Sequence, residues 1–206
     1  MPRHPVHHHE ALERLKQGNA RFVANVRSLA SMGSELQREA LVDGQEPFAI
    51  VLSCSDSRAP GELVFDCGLG DVFAVRVAGN VVAPSIVGSV EFAAAKFGTE
   101  LVVVMGHSRC GAVSATVESL RTGKPALSDN VRDIIDRIAP GVAEIVSGGT
   151  KDDDVLGHAI RANVRVSADH LRHGSRVLEE RIASGRLKVV GAEYALETGV
   201  VEFFDT

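Results

Sequence analysis

Apolar residues recur at helical spacing from Glu10 to Asn25, at Ala11, Leu12, Leu15, Ala20, Phe22 and Val23, which predicts an amphipathic helix. A weaker repeat predicts a second helix over Glu35 to Val42. Gly44 to Pro47 interrupts that pattern, and Phe48 to Ser53 then forms a short continuous apolar run rich in strand formers. Two more such runs, Val72 to Val77 and Leu101 to Met105, flank a helical stretch over 85 to 97. Strands that are apolar on both faces and alternate with helices predict a parallel sheet covered on both sides. Beyond Pro125, helical spacing covers Asp129 to Ile138, Gly148 to Thr150 reads as a loop, and Val155 to Ile182 reads as one long amphipathic helix closed by Gly185. Leu187 to Tyr194 and Val200 to Phe204, joined by the Glu197-Thr198-Gly199 turn, predict a last strand and its hairpin partner. The expected fold is α/β: a central, mainly parallel four-stranded sheet with an antiparallel edge strand, flanking helices and an N-terminal helical arm. It is expected to be one domain over residues 1–206, with the arm at 10–43 and the α/β core at 47–206. The apolar face of the arm exceeds what one small sheet can cover, which predicts packing on a second copy as a dimer or tetramer.

With 206 residues and 45% apolar composition, the chain has enough material for one proper core. Its balance of 22 Lys plus Arg against 27 Asp plus Glu is mildly acidic, and no basic run is present to track a phosphate backbone. Nucleic acid is therefore not an expected partner. No stretch approaches the ~20 apolar residues that span a bilayer, and residues 1–25 lack an apolar secretory core, so the expectation is no membrane and a cytoplasmic location. Three scattered cysteines, Cys54, Cys67 and Cys110, are too few for a disulfide framework and point to metal binding, catalysis or burial in a reducing compartment. The His7-His8-His9 run, with His4 nearby, reads as a mobile, solvated terminus.

Two of the apolar strands end in reactive residues. Cys54-Ser-Asp56-Ser-Arg58 follows the first, and Gly106-His107-Ser-Arg-Cys110-Gly111 follows the third. Sites in open α/β sheets form outside the carboxyl ends of the strands, so both clusters are expected in one crevice. Thiolate and imidazole are preferred zinc donors, and three of them leave a tetrahedral ion one open position for water, the mark of a catalytic site. Two thiolates cancel the charge of the ion, so that water is expected to ionise at or above ~7. Asp56 is placed to accept a hydrogen bond from the resulting hydroxide, and Arg58 to keep the carboxylate off the metal. The Gly111 N–H, opening a helix, is a candidate to steady an anionic product. Cys67, in Phe65-Asp-Cys-Gly, lies away from either strand end and is read as a buried thiol.

Cys54-x-Asp56-Ser-Arg58 followed by His107-x-x-Cys110-Gly111 resembles the β-class carbonic anhydrases. The likeness extends to Gln45 and Pro47, to Phe73 to Asn80, to the Ser89 to Phe97 helix and to Gly191 to Tyr194. It implies reversible hydration of carbon dioxide to bicarbonate and a proton, one Zn2+ per chain held by Cys54, His107 and Cys110, and a homodimer or homotetramer. It also implies that Gln45, Phe73, Ala78 and Phe92 surround the substrate, with Phe92 standing where many relatives have tyrosine and Ala78 where plant-type enzymes have valine. A bicarbonate pocket used by some members would fall on Val51, Ser53, Arg76 and Tyr194, of which only Arg76 and Tyr194 match, so an open site and weak bicarbonate inhibition are expected. Proton-shuttle candidates include His158, His170 and His173. Two other functions compete: hydrolysis of carbon disulfide or carbonyl sulfide on the same site, and a non-catalytic zinc or redox module. Asp56 and Arg58 speak against the module, which needs neither.

Overall fold

A computed structural model describes residues 6–29, 33–148 and 152–204. The described chain runs α1 (His8–Val23), α2 (Glu35–Ala40), β1 (Ala49–Ser53), α3 (Gly61–Val64), β2 (Val72–Arg76), a 3-10 turn (Ala78–Asn80), α4 (Pro84–Phe97) and β3 (Leu101–His107). It continues through α5 (Gly111–Thr122), α6 (Asp129–Ser147), α7 (Asp152–His173), α8 (Arg176–Ala183), β4 (Lys188–Tyr194) and β5 (Val201–Phe204). The strands form one sheet in the order β2-β1-β3-β4-β5, parallel except for β5, which pairs antiparallel with β4. This is the sheet expected from the sequence.

The continuous apolar runs have a simple cause. Alternate residues of β1 and β3 enter different cores: Val51, Val103 and Met105 pack on one face with α1, while Ile50, Leu52, Val102 and Val104 pack on the other with α4, α7 and α8. Both faces are covered, so neither strand has polar positions to spare. A third cluster sits beyond the carboxyl ends of the strands, where Val113, Ile138, Val142, Ala159 and Ile160 surround Cys54 and Cys110.

Four expectations are corrected. The arm buries the first part of its apolar face in its own chain: Ala11 and Leu15 are 0% exposed and Leu12 7%. Gly18 permits the approach, since a Cβ there would meet the Phe65 carbonyl oxygen at 1.8 Å. Asn19 then locks the helix down, donating to the carbonyls of Val64 (3.2 Å) and Gly199 (2.8 Å) and accepting from Val201 N–H (2.9 Å). The first two turns of the arm thus need no second copy to cover them, while Ala20 and Val23 at its end stay exposed.

The histidine run opens a helix rather than a loose end: His8 and His9 are helical and His7 caps them, its Nδ1 accepting from His9 N–H at 3.4 Å, with His7 and His9 exposed as expected and His4 outside the described residues. The single long helix expected over Val155 to Ile182 is two. Gly174 and Ser175 break it, with Ser175 capping α8 through Leu178 N–H and donating to Glu91 of α4, so that α8 turns across the sheet toward α4. Finally, α6 does not stop at Ile138. It runs through Pro140 to Ser147 because the bond lost at the proline is outweighed by burying Ile135, Ile138 and Val142 along one face. Of the loop expected at Gly148 to Thr150, residues 149–150 lie outside the described residues.

Candidate active site

Parallel register brings the two reactive segments together, because Ser53 at the end of β1 pairs with Met105 of β3, two residues before His107. The donor atoms of Cys54, His107 and Cys110 all lie within 4.8 Å of one another, and all three residues are buried. The two sulfurs are 4.0 Å apart. Two thiolates ~2.3 Å from a tetrahedral zinc stand ~3.8 Å apart, so the spacing fits the ion. His107 supplies the second fit: Nδ1 lies 2.9 Å from the Ser108 carbonyl oxygen, which fixes the proton there, and the buried Nε2 has no hydrogen-bond partner. A buried imidazole with an unpartnered nitrogen, within 4.8 Å of two sulfurs, suits a metal ligand.

Local electrostatics prepare the donors. Cys54 Sγ accepts from Asp56 N–H (3.4 Å) and Gly79 N–H (3.3 Å). Hydrogen bonding from Cys110 and these amides outweighs burial and brings the Cys54 thiol down to about 4. Cys110 is pushed up by the neighbouring Cys54 thiolate, and burial adds to this. Burial opposes a charged imidazole at His107, yet the Cys54 thiolate beside it holds its pKa above the usual histidine value. Gly79 was not singled out from the sequence, and the reason for glycine is local: its φ is +68°, and a Cβ would meet Ile138 at 2.9 Å and Ala112 at 3.0 Å.

Asp56 and Arg58 form a closed pair. Arg58 donates from Nε to Oδ1 (2.9 Å), from Nη2 to Oδ2 (2.8 Å) and from its backbone N–H to Oδ1 (2.9 Å). These bonds hold the Asp56 carboxyl far below the usual carboxylate range. Its Oδ2 lies 3.9 Å from His107 Nε2, so the carboxylate borders the donor set. Arg76, on the solvent side, donates to the carbonyls of Cys54 (3.1 Å) and Asp56 (2.7 Å) and so braces the loop. Of the other residues of the proposed bicarbonate pocket, Val51, Ser53 and Tyr194 are all buried.

The remaining expected residues divide. Ala78 and Gly111 adjoin the donors, Ala78 beside Gly79 and Gly111 directly after Cys110 at the start of α5. Gln45, Phe73 and Phe92 do not. β1 is ~13 Å long at ~3.3 Å per residue, and Gln45 precedes its far end. There it lines a groove of about 530 Å³ with Arg38, Leu41, Leu69 and Phe97. Phe73 and Phe92 join Phe97 in a ring cluster beside the β2 edge, with centroids 5.6–6.4 Å apart. Cys67 is buried away from the donors, its S–H directed at the Phe65 carbonyl (3.5 Å) and its pKa pushed up to about 12 by burial. His170 and His173 lie seven and ten residues beyond Asn163, the α7 residue that bonds the Gly79 carbonyl, ~10–15 Å along the helix. His158 is on the near half of α7.

Residues 49–201 match the family model described as "Carbonic anhydrase". The chain is 40% identical over 192 residues to a carbonic anhydrase of Mycolicibacterium smegmatis, covering 93% of this chain and 91% of that protein. The fold superposes on the β-carbonic anhydrase CcaA with a TM-score of 0.76 at 24% identity, over 94% of this chain and 87% of the other. It also matches a structure described among two tetrameric β-carbonic anhydrases of Sordaria macrospora, with a TM-score of 0.71 at 22% identity, over 82% of this chain and 86% of that one. No described helix is long and apolar enough to cross a membrane.

Proposed function

This chain belongs to the β-class carbonic anhydrase family and catalyses the reversible hydration of carbon dioxide, and from that premise we propose which of its residues carry the reaction. The family is zinc-dependent, and we assign one zinc per chain to Cys54, His107 and Cys110. A zinc ion bound there supplies Lewis acidity that makes a water nucleophilic near neutral pH. Asp56, fixed in its anionic form by Arg58, accepts a hydrogen bond and aims the attacking water; a carboxylate so strongly acidified orients rather than stores a proton. The Gly111 N–H steadies the bicarbonate anion. The observation carrying this reading is the two-pronged Asp56–Arg58 pair at the edge of a buried Cys-His-Cys set, an arrangement that a purely structural metal site has no use for. The matched proteins are carbonic anhydrases, which leaves the hydrolase and the non-catalytic module without support. Removing metal with a chelator should abolish hydration in stopped-flow assays, and one equivalent of Zn2+ per chain should restore it; turnover in the metal-free protein overturns the assignment.

The substrate pocket bears on assembly. Gln45, Phe73 and Phe92 lie at the β2 edge and the far end of β1, so we propose that they face the donor set of a second copy, with Ala78 and Gly111 completing the pocket from within the chain. Exposed apolar residues around that edge, Leu36 (76%), Val42 (80%) and Phe92 (53%), support an interface there, and the protein is a dimer or tetramer on this reading. Phe92→Arg is expected to convert the assembly to monomers in sedimentation while zinc is retained, and to lower hydration ~10-fold or more because the substrate is no longer positioned. A wild-type chain that is monomeric and fully active at micromolar concentration contradicts this. Three free cysteines, all buried, support the cytoplasm as its compartment.

A further inference from the structure

Glu197 lies between β4 and β5, outside every role assigned above, yet it grips the loop that carries two of the three donors. Ser108 Oγ donates to Glu197 Oε2 at 2.9 Å, and Arg109 Nε donates to Oε1 at 2.7 Å. The same Ser108 hydroxyl accepts from Leu196 N–H (2.9 Å), and Ser108 N–H donates to the Tyr194 carbonyl (2.9 Å). Ser108 is therefore pinned to the end of β4 through both its backbone and its side chain. Its carbonyl is the group that fixes the His107 Nδ1 proton, and the next residue, Arg109, sits in the left-handed region at φ 56° with its own carbonyl 3.5 Å from Arg58 Nη2.

A left-handed non-glycine residue persists only where its surroundings over-determine it. Here they are the four bonds that tie Ser108 and Arg109 to residues 194–197. The exposed Arg109–Glu197 ion pair alone would count for little. The Ser108 bond counts for more, because it sets the orientation of a peptide that is itself bonded to the metal-facing imidazole. Metal-bound histidines take such support from outer partners, commonly a carboxylate. In this chain the carboxylate acts one residue away, through the Ser108 peptide.

We propose that Glu197 is a positioning residue of the metal centre: it holds Ser108 and Arg109 in the conformation that aims His107 Nε2 and sets Cys110 opposite Cys54. This rests on the reading of Cys54, His107 and Cys110 as the zinc ligands. The test uses zinc-loaded wild type, E197A, E197Q, S108A and the S108A/E197A double variant. Three quantities are measured: the rate of zinc transfer to a colorimetric chelator, kcat and KM separately, and the melting temperature of the metal-free protein. E197A should release zinc about tenfold faster, at the low end of what outer partners contribute, and lose kcat with KM unchanged. E197Q, which keeps an acceptor for Ser108, should recover most of both. The double variant should be little worse than S108A, since the Ser108–Glu197 bond is absent from both and the exposed Arg109–Glu197 pair counts for little. The metal-free melting temperature should barely move. Wild-type zinc release in E197A overturns the proposal, as does E197Q matching E197A, or a metal-free melting temperature that falls while zinc release does not change. A wild-type protein that takes up no zinc at all overturns the ligand reading instead, so the two failures are distinct.

Discussion

Cys54→Ser, His107→Ala and Cys110→Ser should each reduce zinc content to traces after dialysis and bring hydration down to the uncatalysed rate. Losing an outer partner of a metal ligand already costs ~10–100-fold in affinity or activity, and losing one of only three protein ligands must cost more. The three changes differ in detail. Cys54 is brought down to about 4 by the Cys110 thiol and two amides, so it offers a ready thiolate to an incoming ion. Cys110 and His107 are both raised and must shed protons as metal binds. Zinc uptake therefore releases protons, and affinity falls as pH falls. Cys67→Ser is the control: a buried thiol pushed up to about 12 and directed at a backbone carbonyl donates nothing to the site, so zinc content and turnover should match wild type. Metal loss in Cys67→Ser, or full zinc in the other three, sinks the assignment. Metal analysis of dialysed protein beside a stopped-flow assay reads both.

The Cys54-His107-Cys110 cluster was legible because each half is local. Cys54 follows one apolar strand and His107 ends another, and the rule that parallel strands gather their carboxyl ends in one crevice does the rest. What could not be read is what depends on contacts between remote segments. Glu197 reaches Ser108 across 89 residues, and in sequence it is an unremarkable acid in a turn. Asp66, whose side chain is fully buried against Arg21, carries no pattern that marks an anchor for the arm. The arm shows a related limit: helical spacing reports that one face is apolar but not how much of the chain's own sheet is free to receive it. The Gly174-Ser175 break is written in the sequence, since a glycine followed by a capping serine inside a helical pattern is a stop and a restart. Gln45 shows the limit of motif transfer: the family pattern assigns it to a substrate pocket, while within the chain it lines a groove before the far end of β1.

Arg58→Ala should be the most damaging substitution outside the ligands, lowering kcat ~100-fold while zinc stays bound. Three donations from Arg58 occupy both carboxylate oxygens of Asp56. Removing the side chain leaves only the backbone N–H on Oδ1, and frees an anionic oxygen that already lies 3.9 Å from His107 Nε2. A freed carboxylate beside a divalent cation with an open position competes with water for that position, and it no longer aims the attacking water. Arg58→Lys should fall between, since an ammonium cannot span both oxygens. The pH dependence separates this account from a general loss of structure. In the wild type Asp56 is held far below the ordinary carboxylate range by Arg58, so it stays ionised throughout the working range and contributes nothing to the acidic fall in activity. Without Arg58 its pKa should return toward ~4, adding a second acidic limb as the protonated carboxyl stops accepting. With cobalt in place of zinc, the visible spectrum should change in Arg58→Ala as the carboxylate joins the coordination shell. Wild-type kcat together with an unaltered cobalt spectrum in Arg58→Ala would show that Asp56 needs no restraint.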